Sequence, residues 1–296
     1  MVATRSGFVA LAGRPNVGKS TLVNALVGRK IAIVSDKPQT TRRAIRGVAT
    51  LDDAQLVLVD LPGVQRPRDA LTKRMQARVE REVADDDVVL MVVNAEEGIG
   101  PGDRWIAELL EGAGVPVVIA VNKVDRLLRP QIAEVLTQAA ALEVVDDVFP
   151  VSAKSGVGVG PLRDHLRSLL PEGPFFFPPE AGSDQPTEIL LAELIREQVL
   201  RRTFQEVPHS VEAVIEELDF ESREELAYVR ARIWVETDSQ KGILIGKQGR
   251  MIKLVGTAAR GALEQELGRK VHLDLRVDVR RRWRSDERAL DRLGIE

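Results

Sequence analysis

The sequence predicts an α/β domain with a mainly parallel sheet, followed by a smaller α+β domain. Three observations predict this. A glycine-rich loop of phosphate-binding pattern sits between an apolar run and a helical pattern. Continuous apolar runs then recur as Leu56–Val59, Val88–Val93 and Val115–Val121, separated by longer helical stretches, as expected of strands buried on both faces of a parallel sheet. Past about residue 170 a segment with prolines at 171, 174, 178, 179 and 186 breaks the alternation. After it the order changes to helix, strand, strand, a glycine-rich turn between helices, and strand. The predicted boundaries are 1–172 for the first domain, 173–186 for a linker and 187–296 for the second domain.

Bulk properties narrow the chemistry. The chain has 296 residues, 44% apolar and 29% charged, with a net charge of -3 and no cysteine. Disulfides, zinc–thiolate sites and thiol nucleophiles are therefore excluded. No apolar run approaches the ~20 residues of a membrane span, so a cytoplasmic protein is expected. With no global basic excess, a nucleic-acid partner would need a local patch.

Gly13-Arg14-Pro15-Asn16-Val17-Gly18-Lys19-Ser20 fits G-x-x-x-x-G-K-S, and Thr21 follows it. Glycine lets main-chain N–H groups approach phosphate oxygens, and the following helix points its positive end at them. Lys19 is expected at the terminal phosphates and Ser20 on Mg²⁺. Asn122-Lys123-Val124-Asp125 directly follows the run 115–121. A carboxylate at Asp125 can accept the N1 and N2 protons of guanine together, a donor pair that adenine lacks. Ser152-Ala153-Lys154 would complete the base pocket.

Asp60-Leu61-Pro62-Gly63-Val64 ends another strand pattern. Asp60 is expected near Mg²⁺ and the Gly63 N–H near the γ-phosphate. Between this motif and the phosphate loop lies Pro38-Gln39-Thr40-Thr41-Arg42. A threonine here, Thr41 in preference to Thr40, could join the metal only when a γ-phosphate is present, which makes the segment a switch. The catalytic set is thus Lys19, Thr41 and Gly63. Val64 stands where Ras-like proteins carry a water-orienting glutamine, and valine makes no hydrogen bond to water, so slow hydrolysis is expected. Asn16 is a candidate potassium ligand.

In the second domain, Ile245-Gly246-Lys247-Gln248-Gly249-Arg250 contains a G-x-x-G with basic neighbours. In a KH domain such a loop clamps the backbone of about four nucleotides. Lys253 and Arg281 are further candidate phosphate contacts. Between Arg230 and Arg284 there are 14 basic against 6 acidic residues, and between Gly182 and Val229 there are 4 against 12, which points to a basic RNA face. Trp283 could stack on a base or pack. His209 and His272, in strand-like patterns without metal spacing, receive no role.

These motifs, with Thr40-Thr41-Arg42 in the switch and a hydrophobic residue after Asp60–Gly63, resemble the TrmE–Era group of bacterial GTPases over nearly the whole chain. Leu61 departs from the usual threonine. The resemblance implies a P-loop GTPase domain with a type II KH domain, using GTP/GDP and Mg²⁺, with K⁺ as a further candidate. It also implies binding to 16S ribosomal RNA near its 3′ end, a role in 30S subunit biogenesis and weak peripheral association with the inner membrane. A monomer is expected, and the nucleotide state is expected to control RNA access. Two rivals remain at this point. A P-loop kinase would share the loop but leaves Asn122–Asp125 unexplained. A non-catalytic RNA-binding scaffold would hold its nucleotide without turnover.

Overall fold

The computed structural model describes residues 4–37, 39–220 and 225–295. Two compact units divide between Asp184 and Gln185. The first is built from β1 (Arg5–Ala12), α1 (Lys19–Val27), β2 (Ile45–Thr50), β3 (Ala54–Asp60), α2 (Ala70–Asp85), β4 (Val88–Asn94), α3 (Pro101–Leu110), β5 (Val117–Asn122), α4 (Arg129–Ala140), β6 (Asp147–Val151) and α5 (Val159–Leu169). Its sheet order is β2-β3-β1-β4-β5-β6. All pairings are parallel except β2 with β3.

The apolar runs behave as a doubly covered sheet requires. Every residue of β3, β4 and β5 is buried. One sheet face packs Val9, Leu11, Leu56, Leu58, Leu90 and Val92 against Leu22, Leu26, Leu162 and Leu166 of α1 and α5. The other packs Val59, Val89, Met91, Ile119 and Val121 against Val79 and Val83 of α2, Ile106 of α3, and Val135 of α4. Alternate residues along each strand serve opposite cores.

The second unit holds α6 (Thr187–Leu200), α7 (Val207–Ser210), β7 (Glu212–Asp219), β8 (Leu226–Val235), α8 (Asp238–Ile245), α9 (Arg250–Leu267), β9 (Lys270–Val279) and α10 (Glu287–Arg292). Its sheet order is β7-β8-β9, with β7–β8 antiparallel and β8–β9 parallel. Ala227, Val229, Ala231, Ile233 and Val235 are buried along one face of β8.

Several expectations change, and one open choice is settled. Most of the predicted linker, 173–186, is part of the first unit. The Gly173 N–H donates to the Thr4 carbonyl (3.0 Å), Ser6 Oγ to the Pro174 carbonyl (2.6 Å) and the Val48 N–H to the Gly182 carbonyl (2.8 Å). Gln55, fully buried in β3, accepts from the N–H groups of Phe176 and Phe177 and donates to the Phe177 carbonyl, each at 2.9 Å. At the other end of the chain, Ile295 groups with the first unit, and its carbonyl accepts from Arg74 (2.7 Å). Trp234, which strand alternation sets on the same side of β8 as Arg230 and Arg232, is buried. His209 lies in α7, since Pro208 starts a helical turn there. Trp283 is also buried, its indole N–H on the Ser210 carbonyl (2.8 Å), so it packs and is not free to stack on a base.

Asp86 follows α2. Burial, reinforced by Glu82, pushes its carboxyl up to about 7, with Arg46 opposing. The folded state therefore holds a proton that the unfolded chain has released between about pH 4 and 7, and stability falls as pH rises through that window. In Asp86→Asn this dependence should shrink, and thermal melts at pH 5 and pH 8 should lie closer together than in the parent. Gln55→Leu should lower stability by about 2 kcal/mol, since two main-chain donors lose their acceptor. A denaturant titration measures it.

Candidate nucleotide and RNA sites

The phosphate loop joins β1 to α1. Gly13 has φ +150°, and a Cβ there would lie 2.4 Å from the Val92 carbonyl oxygen. Gly18, at φ +102°, would place a Cβ 2.3 Å from the Asn122 amide nitrogen. The loop thus needs glycine both for its backbone conformation and for space. Gly18 leaves the start of α1 without a side-chain cap, so its first N–H groups are presented to a ligand.

Lys19 is buried beneath the loop, and its Nζ donates to the carbonyls of Gly13 (2.9 Å) and Arg14 (3.1 Å). Burial lowers its ammonium to about 8, with Asp60 acting in the opposite sense. Arg14 runs from the loop to α3 and meets Asp103 (2.9 Å) and Glu97 (2.8 Å). Burial would lower its pKa, but the two carboxylates outweigh this and raise it. Asp103, fully buried, also accepts from the Gly100 N–H at the start of α3.

Register brings the next residues together. Asp60 ends β3 opposite Leu11 of β1 and Ile45 of β2. Ser20 Oγ donates to Asp60 Oδ2 (2.6 Å), Thr41 Oγ1 lies 2.9 Å from Ser20 Oγ, and Thr41 Oγ1 donates to Asp60 Oδ2 (3.2 Å). Three hard oxygen donors thus converge beside Lys19, a set that suits Mg²⁺. Thr40 is turned elsewhere, its hydroxyl donating to the Lys37 carbonyl (2.7 Å). Pro38 of the same predicted segment lies outside the described residues. Gly63 abuts Pro15, where a Cβ would sit 2.8 Å from three Pro15 atoms. The Val64 N–H donates to the Gly13 carbonyl (3.1 Å). The side chains of Leu61 and Val64 are buried in the core, as is that of Val17, so of these predicted nucleotide-binding residues only the main chain faces the loop. Pro62 is buried as well.

The cleft of about 380 Å³ at this place is lined by Pro15, Asn16, Lys19, Thr21, Gly63 and Lys123, among others. Asn122, at the end of β5, ties its edges together. Its amide donates to the Val17 carbonyl (2.9 Å) and accepts from the Ala153 N–H (3.0 Å). Lys123 donates to the Asn16 carbonyl (2.9 Å), and burial, helped by Arg126, lowers its pKa. Asp125 is exposed, with no hydrogen-bond or ion-pair partner among the described residues. Ser152 is buried and its hydroxyl accepts from the Ser155 N–H (3.2 Å), while Lys154 is exposed. The sequence reading missed Ser35, Asp36 and Arg126, which also line the cleft. The Asp36 carbonyl accepts from Asn16 (2.9 Å), a main-chain contact that no sequence pattern signals.

In the second unit Gly246 follows α8 and Gly249 precedes α9. Gly246 has φ +69°, and a Cβ there would meet Met251 Cβ at 2.8 Å. Gln248 and Gly249 are also at positive φ (55° and 74°). Lys247, Gln248, Arg250 and Lys253 are exposed and have no carboxylate partner among the described residues. Ile243, Ile245 and Leu254 are exposed apolar neighbours.

Part of the basic excess between Arg230 and Arg284 is neutralised on or beside the sheet. Arg232 pairs with Glu216 (2.7 Å) and Asp278 (2.5 Å), Arg230 with Glu217 (2.6 Å), Arg276 with Asp274 (3.2 Å), and Arg284 with Glu236 (2.8 Å). Arg281, predicted to bind RNA, is exposed and stands 3.7 Å from Asp238.

Comparison with known proteins agrees with both halves. Residues 8–123 match a family described as 50S ribosome-binding GTPase, and residues 206–284 match the KH domain. The GTPase Era of Mycobacterium avium is 48% identical over the full length of both chains, and that of Mycobacterium tuberculosis is equally similar. The chain belongs to the Era GTPase family. The crystal structure of an Aquifex aeolicus Era variant bound to GDP·AlF4⁻ covers 99% of each chain with a TM-score of 0.95 at 32% identity. A structure of Era in complex with MgGDPNP and nucleotides 1506–1542 of 16S ribosomal RNA matches equally far, with a TM-score of 0.93 at 33% identity. Membership of the Era family fixes the fold as a P-loop GTPase domain plus a KH domain, with GTP/GDP and Mg²⁺ as its cofactors.

The two ends of α1 supply a contrast. Gly18→Ala should abolish nucleotide binding, because its Cβ collides with the Asn122 amide. Gly28→Ala, at φ +80° with open space around it, should bind nucleotide normally and lose only about 1 kcal/mol of stability. Titration with a fluorescent GDP analogue, beside thermal melts, checks both.

Proposed function

We propose that this Era-family GTPase is a slow GTP-driven switch that binds small-subunit ribosomal RNA near its 3′ end and acts in 30S subunit biogenesis. The observation that carries the nucleotide half is the meeting of Ser20, Thr41 and Asp60 beside Lys19. In this reading Ser20 and Thr41 hold Mg²⁺ directly, and Asp60 does so through water. Bound Mg²⁺ would neutralise charge on the β- and γ-phosphate oxygens. Lys19 exchanges its two carbonyl partners for terminal phosphate oxygens, and the Gly63 N–H meets the γ-phosphate. Thr41 belongs to the switch segment and would be held only while that phosphate remains.

Asp125 supplies the guanine specificity. Its exposed carboxylate accepts from N1 and N2 of the base, while Lys123 and Ser152–Lys154 enclose the ring. Adenine would leave that carboxylate desolvated and unpaired, a loss of about 1–3 kcal/mol. Val64 stands at the position of the water-orienting glutamine, and its side chain is in the core. Asn16 lines the cleft, and its amide oxygen would be the ligand for a K⁺ that supplies a fixed positive charge beside the phosphates.

For the RNA half, the positive-φ loop at Gly246–Gly249 supports a phosphate clamp, with Lys247, Arg250 and Lys253 free to neutralise the strand. The relative solved with nucleotides 1506–1542 of 16S ribosomal RNA supports the choice of RNA. Among the described residues no helix is long and apolar enough to cross a membrane. We place the protein in the cytoplasm as a monomer, with at most weak association at the inner membrane.

The wild-type protein should bind GTP in preference to ATP, and Asp125→Ala should lose at least about 10-fold of that preference. Equal affinity of the wild type for the two nucleotides would overturn the assignment. Phosphate release should be faster in K⁺ than in Na⁺ buffer and should stop with EDTA. RNA affinity that is the same with GDP and with a GTP analogue would remove the coupling.

A further inference from the structure

The arginines of the second unit separate into two groups. Those on the open face of the sheet are matched by carboxylates. After β9, Arg284 and Arg281 still meet Glu236 and Asp238, but three others do not. Arg280, Arg288 and Arg292 are exposed and have no carboxylate partner among the described residues. They line one cleft of about 440 Å³ together with Trp234, Arg281, Trp283 and Asp286. The guanidinium carbons of Arg280 and Arg292 lie 5.4 and 5.7 Å from the centroid of the same Trp234 ring. Two cations drawn to one indole repel each other, and stacking on the ring offsets that repulsion only in part. The acidic member of the cleft, Asp286, is already engaged, its side chain accepting from the N–H groups of Arg288 and Ala289 at the start of α10. The cleft therefore concentrates positive charge over a fixed apolar floor and offers an anion several donors at once.

Its position is also informative. Arg281, on the cleft wall, reaches Asp238, the first residue of α8 (3.7 Å). Gly246 follows the last residue of that helix. The cleft and the G-x-x-G loop are thus associated with opposite ends of an eight-residue helix, about 12 Å long. A strand a few nucleotides long spans that distance.

We propose that the Arg280–Arg288–Arg292 cleft is a second phosphate site, which holds a downstream or upstream phosphate of the RNA strand clamped at Gly246–Gly249. Trp234 is covered by the guanidiniums and buried, so the cleft grips the strand by charge and shape and leaves base reading to other parts of the domain. The inference rests on the RNA function proposed for this domain, and its test separates the two.

Binding of RNA spanning nucleotides 1506–1542 of 16S ribosomal RNA would be measured as a function of salt for the full-length wild type, Arg288→Ala/Arg292→Ala and Lys247→Ala/Arg250→Ala. The double variant of the cleft should bind at least about 10-fold more weakly. Its slope of log affinity against log salt should flatten by about 0.7 for each phosphate that the cleft no longer neutralises. All four side chains are exposed, and melting curves check that the variants are folded. Arg288→Lys/Arg292→Lys, which keeps the charge, should restore most of the slope. Wild-type affinity and slope in the cleft variant, with the loop variant weakened, would overturn this proposal alone. Wild-type affinity in the loop variant would instead overturn the clamp at Gly246–Gly249. Inorganic phosphate provides a further arm. If it changes indole fluorescence saturably in wild type but not in the cleft variant, and RNA fails to compete, the cleft is a small-anion site and the assignment to the strand is wrong.

Discussion

Parallel pairing within the six-stranded sheet is the constraint on which the nucleotide site depends. Leu11 lies opposite Asp60, Ala12 opposite Met91, Asn94 opposite Asn122, and Asn122 opposite Val151. The carboxyl ends of β1, β3, β4, β5 and β6 therefore finish along one edge, and every loop of the site leaves from that edge. A slip in register would turn side chains to the other face of the sheet and would separate Asp60 from Ser20. The hydrogen-bonded ladders and the two buried apolar layers hold that register, so the polar site need not supply the stability.

On this frame a few buried polar groups fix the loops. Asn122 joins the phosphate loop to the Ser152–Lys154 loop with one amide, using both its donor and its acceptor. Asp103 joins the same phosphate loop to α3 through Arg14. Each tie closes over a large sequence separation, so the loops are set before a ligand arrives, and less ordering is left to be done on binding. The switch segment differs. It touches the site through Thr41, which contacts Ser20 and Asp60, and a magnesium ion would strengthen that contact in place.

The KH unit solves a different electrostatic problem. A three-stranded sheet with one helix-covered face leaves a row of long charged side chains on the other. Arginines on β8 pair with carboxylates on β7 and β9, and Arg276 with Asp274 along β9, which offsets the positive charge of that face. Unmatched positive charge is left at the G-x-x-G loop and at the end of the domain. Net charge over a stretch of sequence is thus a poor guide to where a polyanion lies, because it sums paired and unpaired groups alike.

Much of this was readable in the residues themselves. Continuous apolar runs and alternation follow from side-chain geometry one or two residues apart, so most strands were legible, although β2 (Ile45–Thr50) was not. The phosphate loop and the Asn122–Asp125 motif were legible for the same reason, since each is local in the chain. The tertiary structure decided whatever depends on partners far away in sequence. The proline-rich segment reads as a free linker, yet Gln55, about 120 residues earlier, fastens it to the first unit. Trp283 reads as a packing residue more readily than a stacking one, and the Ser210 carbonyl that claims its N–H decides for packing. The arginines of β8 read as an RNA face until strand register sets acids beside them. A pattern records which groups are present, whereas pairing and burial depend on distances that only the folded chain defines.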